Sequence, residues 1–327
     1  MFKRLKGGDI SERKMASFKE IQQRFPELDL ELWQKAEQLF PIRITRSWFS
    51  RMNSPQDPLG KQVLPDPEEL REEGLENPVG EFERLTHPFV IQKHADRALL
   101  LVSRKCHMYC RYCFRRSLGT AGSPSWRELE SAVDFIKTSG VQEVILSGGD
   151  PLFLSDKKLF SLIDSLSESI PTIRVHTRSV IFYPERVGEQ FLQELAQRQN
   201  IWLILHINHQ QEVSKEIVDV IHKLRRTGTP LLNQTVLLKG VNDDVEALEA
   251  LCNQLVSIGI FPYYLHHTDR VKGASHFFVS LKEGMSIYQE LRKRISGVAL
   301  PRYIIDPEDG SGKIDVEQYV SIHHQGE

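Results

Sequence analysis

Cys106, Cys110 and Cys113 stand close together in the run KCHMYCRYCFRR, with the spacing C-x3-C-x2-C. Three thiolates can hold three irons of a [4Fe–4S] cube, whereas a closed electron-transfer cluster normally uses four. The fourth iron is then open to a ligand from outside the chain. Two blander readings compete. A disulfide framework needs an even set of cysteines in an oxidising compartment, and the chain shows no secretory signal. Zinc usually takes two CxxC or Cys/His pairs, and no second pair is present; His107 is adjacent to Cys106, which makes chelation by both awkward. Cys252 lies far away on an apolar helix face and reads as a small core residue.

A loop of this kind needs rigid elements to position it. From Arg97 onward, apolar runs of strand length alternate with helical patterns: RALLLVS then SWRELESAVDFIKTSG, EVILSG then SDKKLFSLIDSLSESI, IRVHT then PERVGEQFLQELAQRQ, and three further pairs. Continuous apolar strands alternating with amphipathic helices predict a parallel sheet covered by helices, and six such units predict an α/β fold, a (β/α)6 partial TIM barrel. Residues 1–88 differ: amphipathic pieces such as ELDLELWQKAEQLF, then a Pro/Glu/Gly-rich connection, predict a mainly helical extension. The division expected is 1–88 for that extension, 89–300 for the barrel core, and 301–327 for a final strand and short tail.

Parallel barrels carry their chemistry at the carboxyl ends of the strands. The cysteine loop follows the first strand, and Ser147-Gly148-Gly149-Asp150 the second. His176-Thr177-Arg178, His206-Ile207-Asn208-His209 and His266-His267-Thr268-Asp269 end later strands, and Asp306 ends the last. The terminal Gly310-Ser311-Gly312-Lys313 invites a P-loop reading, which fails because Pro307 and Ile314 stand where that motif needs Gly and Ser/Thr.

From about Phe40 to Lys313 the chain resembles the lysine 2,3-aminomutase family of radical S-adenosylmethionine (SAM) enzymes, on CxxxCRYCFRR, SGGDPL, HINH, LLNQTVLLKGVND, PYYLHHTDRVKGASHF and GSGK. The resemblance implies a radical SAM core and an isomerase. It implies a [4Fe–4S] cluster on Cys106, Cys110 and Cys113 whose open iron is chelated by SAM, and pyridoxal 5′-phosphate (PLP) as a second cofactor. It gives Lys313 the role of the lysine that forms the internal aldimine, for which a lowered pKa is expected. Arg97 matches an arginine on the PLP phosphate, and Lys93 another cationic position. On the SAM side stand Ser147, Gly148 and Gly149 of the glycine-rich motif, Asp150 for the amino group, Arg178 for the carboxylate, and His206 and Gln234 close to SAM and the cluster. Arg115 matches the arginine that grips the substrate carboxylate, and Asp269 and Asp306 two carboxylates that hold the ε-ammonium of lysine. His209, His266 and His267 receive no assigned role.

The implied reaction moves nitrogen between C2 and C3 of L-lysine, started by a 5′-deoxyadenosyl radical after an external one-electron reductant has loaded the cluster. Two branches compete: one makes β-lysine for attachment to elongation factor P by its ligase, the other makes free β-lysine as an osmolyte or for secondary metabolism. The short tail and the segments RYCFRR, LLNQ and PYYLH favour the elongation factor P branch, which makes (R)-β-lysine, while IIDPEDGSGK is closer to the free-lysine enzymes. Free-lysine enzymes carry a cysteine-bearing extension that binds zinc between subunits. Here Asp244 stands where the partner cysteine would be, so a homo-oligomer without interfacial zinc is expected. A radical SAM enzyme that does not use PLP and a non-catalytic Fe–S sensor are the rivals from other classes.

The formal charge of −2 over 327 residues gives no sign of nucleic-acid or lipid binding. No apolar run approaches a membrane-spanning length. The start MFKRLKGGDISERK lacks an apolar h-region, which predicts a cytoplasmic protein.

Overall fold

The structure is a computed structural model that describes residues 14–71, 73–118 and 122–323. The first thirteen residues, most of the segment read above for a targeting signal, lie outside the described residues. One sheet of ten strands organises the rest, in the linear order β1 to β10. The strands are β1 (Leu85–His87), β2 (Val90–His94), β3 (Arg97–Ser103), β4 (Glu143–Gly148), β5 (Thr172–Thr177), β6 (Ile201–Leu205), β7 (Leu231–Val236), β8 (Phe261–His266), β9 (Arg302–Ile305) and β10 (Ile314–Asp315). β3 to β9 pair in parallel, and β4 to β9 are each reached by a helical crossover. This is the alternation expected for a partial barrel.

Both edges are finished by antiparallel pieces that periodicity does not reveal. β1 and β2 fold back on β3, and β10 folds back on β9. These short additions carry chemistry: β2 ends in Lys93 and His94, and β10 begins one residue after Lys313.

The covering helices begin where their sequences supply caps. Ser125 and Glu128 form a reciprocal capping box at Trp126–Thr138, and Ser280 and Glu283 do so at Leu281–Arg294. Asp244 caps Val245–Ser257 by accepting from the Ala247 amide at 2.7 Å. On that helix Cys252 is buried among apolar neighbours, and burial alone pushes its thiol up to about 12. It is core, as its position on the helix predicts.

The amino-terminal helices Phe18–Arg24, Leu30–Leu39 and Arg46–Arg51 pack into the same hydrophobic core as the barrel. Trp48 is fully buried, donates its indole N–H to the Leu59 carbonyl at 3.2 Å, and meets the Phe182 ring edge-on at 4.9 Å. Thr45, the cap of its helix, donates to the Phe182 carbonyl at 2.6 Å. Truncating Trp48 to Ala would cost roughly 3–5 kcal/mol and loosen the extension from the loop after β5. No helix among the described residues is long and apolar enough to cross a membrane.

Candidate active site

The strand ends converge as the barrel requires. Cys106, Cys110 and Cys113 line one cavity with Arg115, Ser147 to Asp150, Arg178, His206, Gln234 and Asp269. All three thiols are free. Burial first, then neighbouring negative charge, raises the Cys113 thiol to about 11 and the Cys106 thiol well above its ordinary value. Three thiolates in this pocket therefore require a compensating cation, which an iron–sulfur cube supplies. No three His, Cys, Asp or Glu side chains among the described residues converge on a single metal ion.

The cysteine loop is held mainly by residues of the extension. Glu69 is fully buried and accepts from Arg111 Nε at 2.9 Å and Arg116 Nη2 at 2.8 Å, the arginines that flank the cysteines. Gln62 is equally buried. Its carbonyl oxygen accepts from Arg178 Nη2 at 2.5 Å and its amide donates to Glu212 at 3.0 Å. Arg178 also donates from Nη1 to Cys110 Sγ at 2.9 Å and pairs with Glu212 at 3.0 Å. Its Nε is buried without a partner among the described residues. Glu81 makes a two-point contact with Arg115, at 2.6 and 2.8 Å. Sequence reading missed Gln62, Glu69, Glu81 and Glu212, because each looks like an ordinary polar residue until its partner is known.

The glycine-rich motif serves close approach. A β-carbon on Gly148 would fall 2.3 Å from the Ser103 carbonyl oxygen, and one on Gly149 2.3 Å from that of Lys105. β4 thus ends directly against the chain entering the cysteine loop. Asp150 lines the cavity and is also engaged by this chain: its carboxylate accepts from the amides of Leu152, Arg178 and Ser179 at 2.9, 2.8 and 2.9 Å, and from the Thr177 hydroxyl at 2.8 Å. It knits the ends of β4 and β5 together, a use its motif position does not disclose.

Across the barrel lies a neutral polar belt. Gln234 bonds to His206, and reaches His176 Nδ1 at 3.3 Å and His266 at 3.4 Å. Burial depresses all three imidazoles, His266 to about 3, and the Lys313 charge adds to each shift, so they stay uncharged at neutral pH. His176, on the cavity lining, has its Nε2 buried without a partner among the described residues. Together with Arg178 Nε, this leaves unsatisfied polar atoms of the kind a polar ligand such as SAM would meet. His209 and His267 are occupied elsewhere: His209 caps a short turn at Gln211, and His267 bonds to the Tyr303 hydroxyl at 2.7 Å.

A second group forms where the side chains of Lys93, on β2, and Asp306, just after β9, come together. Asp306 pairs with Lys93 at 2.8 Å and approaches Lys313 at 3.7 Å. Lys93, read from the sequence as a phosphate cation, is thus committed to Asp306, read as an acceptor for an ammonium. It also donates to the Val79 carbonyl. Arg97, by contrast, has only its neighbour Asp96 as an ion-pair partner among the described residues, at 3.2 Å. Burial lowers Lys313 from its ordinary value, against the opposing pull of Asp306. An amine that loses its proton more easily suits attack on an aldehyde, and the donor set fits PLP. Gly312 has a φ of +95°, which L side chains rarely adopt, and a β-carbon there would lie 2.4 Å from the His94 ring, so a glycine suits the position beside the lysine. Asp269 is pushed up to about 7 by burial and by Asp306, with Lys313 and Lys93 pulling the other way.

Comparison with known proteins follows the same lines. The family model for the Radical SAM superfamily matches residues 100–252. The chain is 39% identical over 289 residues to the L-lysine 2,3-aminomutase of Buchnera aphidicola, covering 86% of this chain and 85% of that one. It is 39% identical over 290 residues to that of Haemophilus influenzae, covering 85% of each, and 40% over 276 residues to that of Escherichia coli K12, covering 82% and 80%. With similarity of this level over most of both chains, the protein belongs to the L-lysine 2,3-aminomutase family of radical SAM isomerases, whose cofactors are a [4Fe–4S] cluster, S-adenosylmethionine and pyridoxal phosphate.

Proposed function

We propose that the protein interconverts L-α-lysine and β-lysine. The observation that carries this reading is one site bounded by opposite charges. Arg115 lines the cavity beside the cysteines, and Asp269 lines the same cavity and feels the charges of Asp306 and Lys313. A guanidinium at one end suits a carboxylate, and two acids at the other suit an ε-ammonium. When bound, the cluster and SAM supply a hydrogen-abstracting radical and PLP carries the migrating nitrogen.

The chain's own residues orient and protect. Cys106, Cys110 and Cys113 hold the cluster. Ser147 to Asp150, Arg178, His206 and Gln234 form the SAM side. Lys313 would bind PLP, with Arg97 the freer of the two cations offered to its phosphate and Lys93 the second. Arg115, Asp269 and Asp306 hold lysine at both ends, so that its β-carbon stays in place; a slip of about one ångström could cost about a hundredfold in rate. In this division of labour residues 1–88 brace the cysteine loop, 89–300 form the barrel and 301–327 deliver Lys313.

The product is assigned to elongation factor P modification, and the reductant is an external one-electron donor. A free β-lysine route is the second reading, favoured by the aspartate of the terminal segment, Asp306. The test is anaerobic: cluster reconstitution, then PLP, SAM, dithionite and L-lysine, with β-lysine detected by mass spectrometry and resolved on a chiral phase. (R)-β-lysine that is transferred to elongation factor P by its ligase supports the first route. β-Lysine that the ligase does not accept supports the second. SAM cleavage without β-lysine would mean a different substrate, and an intact cluster that cleaves no SAM would overturn the catalytic reading.

A further inference from the structure

Arg115 lines the cavity and Glu81 does not, although the two are joined by a pair of short charge-assisted hydrogen bonds, at 2.8 and 2.6 Å. Glu81 takes the Nε and Nη2 edge of the guanidinium with both of its oxygens. The side chains are 8% and 12% exposed. Among the described residues, Nη1 on the far side makes longer hydrogen bonds, to Ser147 Oγ at 3.1 Å and to the Gly148 carbonyl at 3.4 Å. A guanidinium has five N–H groups in a rigid planar fork. Fixing one edge fixes the plane, and the second N–H of Nη2 and the loosely held Nη1 then form the end presented to the cavity.

Glu81 is itself anchored. Its amide donates to Asn77 Oδ1 at 2.8 Å, and the preceding Gly80 packs backbone to backbone on Gly310 of the segment that leads to Lys313. Resting on the reading of Arg115 as the substrate carboxylate's partner, we propose that Glu81 is a positioning residue. It holds Arg115 from behind so that one end of the guanidinium faces the substrate carboxylate, in a fixed relation to Lys313. Because Glu81 sits behind Arg115 and outside the cavity, it does not compete with the incoming carboxylate.

The test compares binding of L-lysine and L-lysinamide to the PLP-loaded protein by calorimetry with SAM omitted. The two ligands share length and ε-ammonium and differ in the carboxylate. The wild type should favour lysine by about tenfold or more, as a charge-assisted paired contact predicts. Glu81→Gln should bring that ratio to within about threefold while lysinamide affinity holds, and Glu81→Asp, which keeps the charge and controls for folding, should give an intermediate ratio. Equal weakening of both ligands would reduce Glu81 to a structural role and overturn the proposal. Tighter lysine binding in Glu81→Gln would make Glu81 a competitor and overturn it equally. If Arg115→Ala abolishes the preference while Glu81→Gln leaves it intact, the Glu81 proposal falls and the reading of Arg115 stands. If Arg115→Ala also leaves it intact, both fall.

Discussion

Gly80 and Gly310 cross with their backbones in contact: a β-carbon on Gly80 would sit 2.6 Å from the Gly310 nitrogen, and one on Gly310 2.7 Å from the Gly80 carbonyl oxygen. Both have positive φ, +61° and +68°, which L side chains rarely adopt. Gly310→Ala therefore combines backbone strain with a clash against main chain that cannot rotate away. PLP affinity, read from cofactor absorbance and from borohydride trapping at Lys313, should weaken by about tenfold, since the displaced loop carries that lysine.

Asp269 should set a pH dependence. Its carboxyl is raised to about 7, so it is largely protonated below that pH and ionised above it. The lysine ε-ammonium stays charged throughout this range. Lysine affinity should therefore rise as pH rises through about 7, and Asp269→Asn should flatten the profile; calorimetry from pH 6 to 8.5 checks both.

The same carboxyl costs stability. In the unfolded chain an aspartate titrates near about 4, so between about 4 and 7 the fold keeps a proton that the unfolded chain has lost. This contribution makes the fold less stable as pH rises across that window. Asp269→Asn should gain up to about 4 kcal/mol relative to wild type at pH 8 and little at pH 4, measured by urea unfolding.

Much of this architecture was legible in the sequence because its signals are local. Apolar runs alternating with amphipathic helices marked β3 to β9, and a polar residue at a strand end can be seen without knowing its neighbours. The clamps were not legible because their partners are remote: Glu81 and Arg115 are 34 residues apart, Glu69 and Arg111 42, and Gln62 and Arg178 116. Asp150 shows a different limit. A motif carboxylate that meets a ligand and one that ties two strand ends together look the same in a string of letters. Lys93 and Asp306 came from segments read for different partners, and only the pairing of β2 and β9 with their neighbours sets them side by side.

Glu69 offers a sharp test of the clamps. Glu69→Gln would leave Arg111 and Arg116 buried without a carboxylate, at a cost of roughly 3–5 kcal/mol. Urea midpoints should fall accordingly, and iron loading per chain should drop because both arginines flank the cysteines.

Arg178 should tune the cluster. Its Nη1 donates to Cys110 Sγ at 2.9 Å, and a cation at a ligand sulfur favours the reduced form. Arg178→Gln should move the reconstituted cluster's potential negative by about 60 mV, a tenfold change for a one-electron couple, in a redox titration followed by electron paramagnetic resonance without SAM.

The clamps also bear on how the protein is made. Ribosomes deliver Gln62, Glu69 and Glu81 before Cys106 emerges, so three braces are waiting when the cysteines arrive. Arg178 and Glu212 come later, and until they do Gln62 has no charged partner and Cys110 lacks its guanidinium. The full set of contacts around the cysteine loop therefore needs residues from both halves of the chain, and it exists only once β5 and β6 and the turns that follow them are in place.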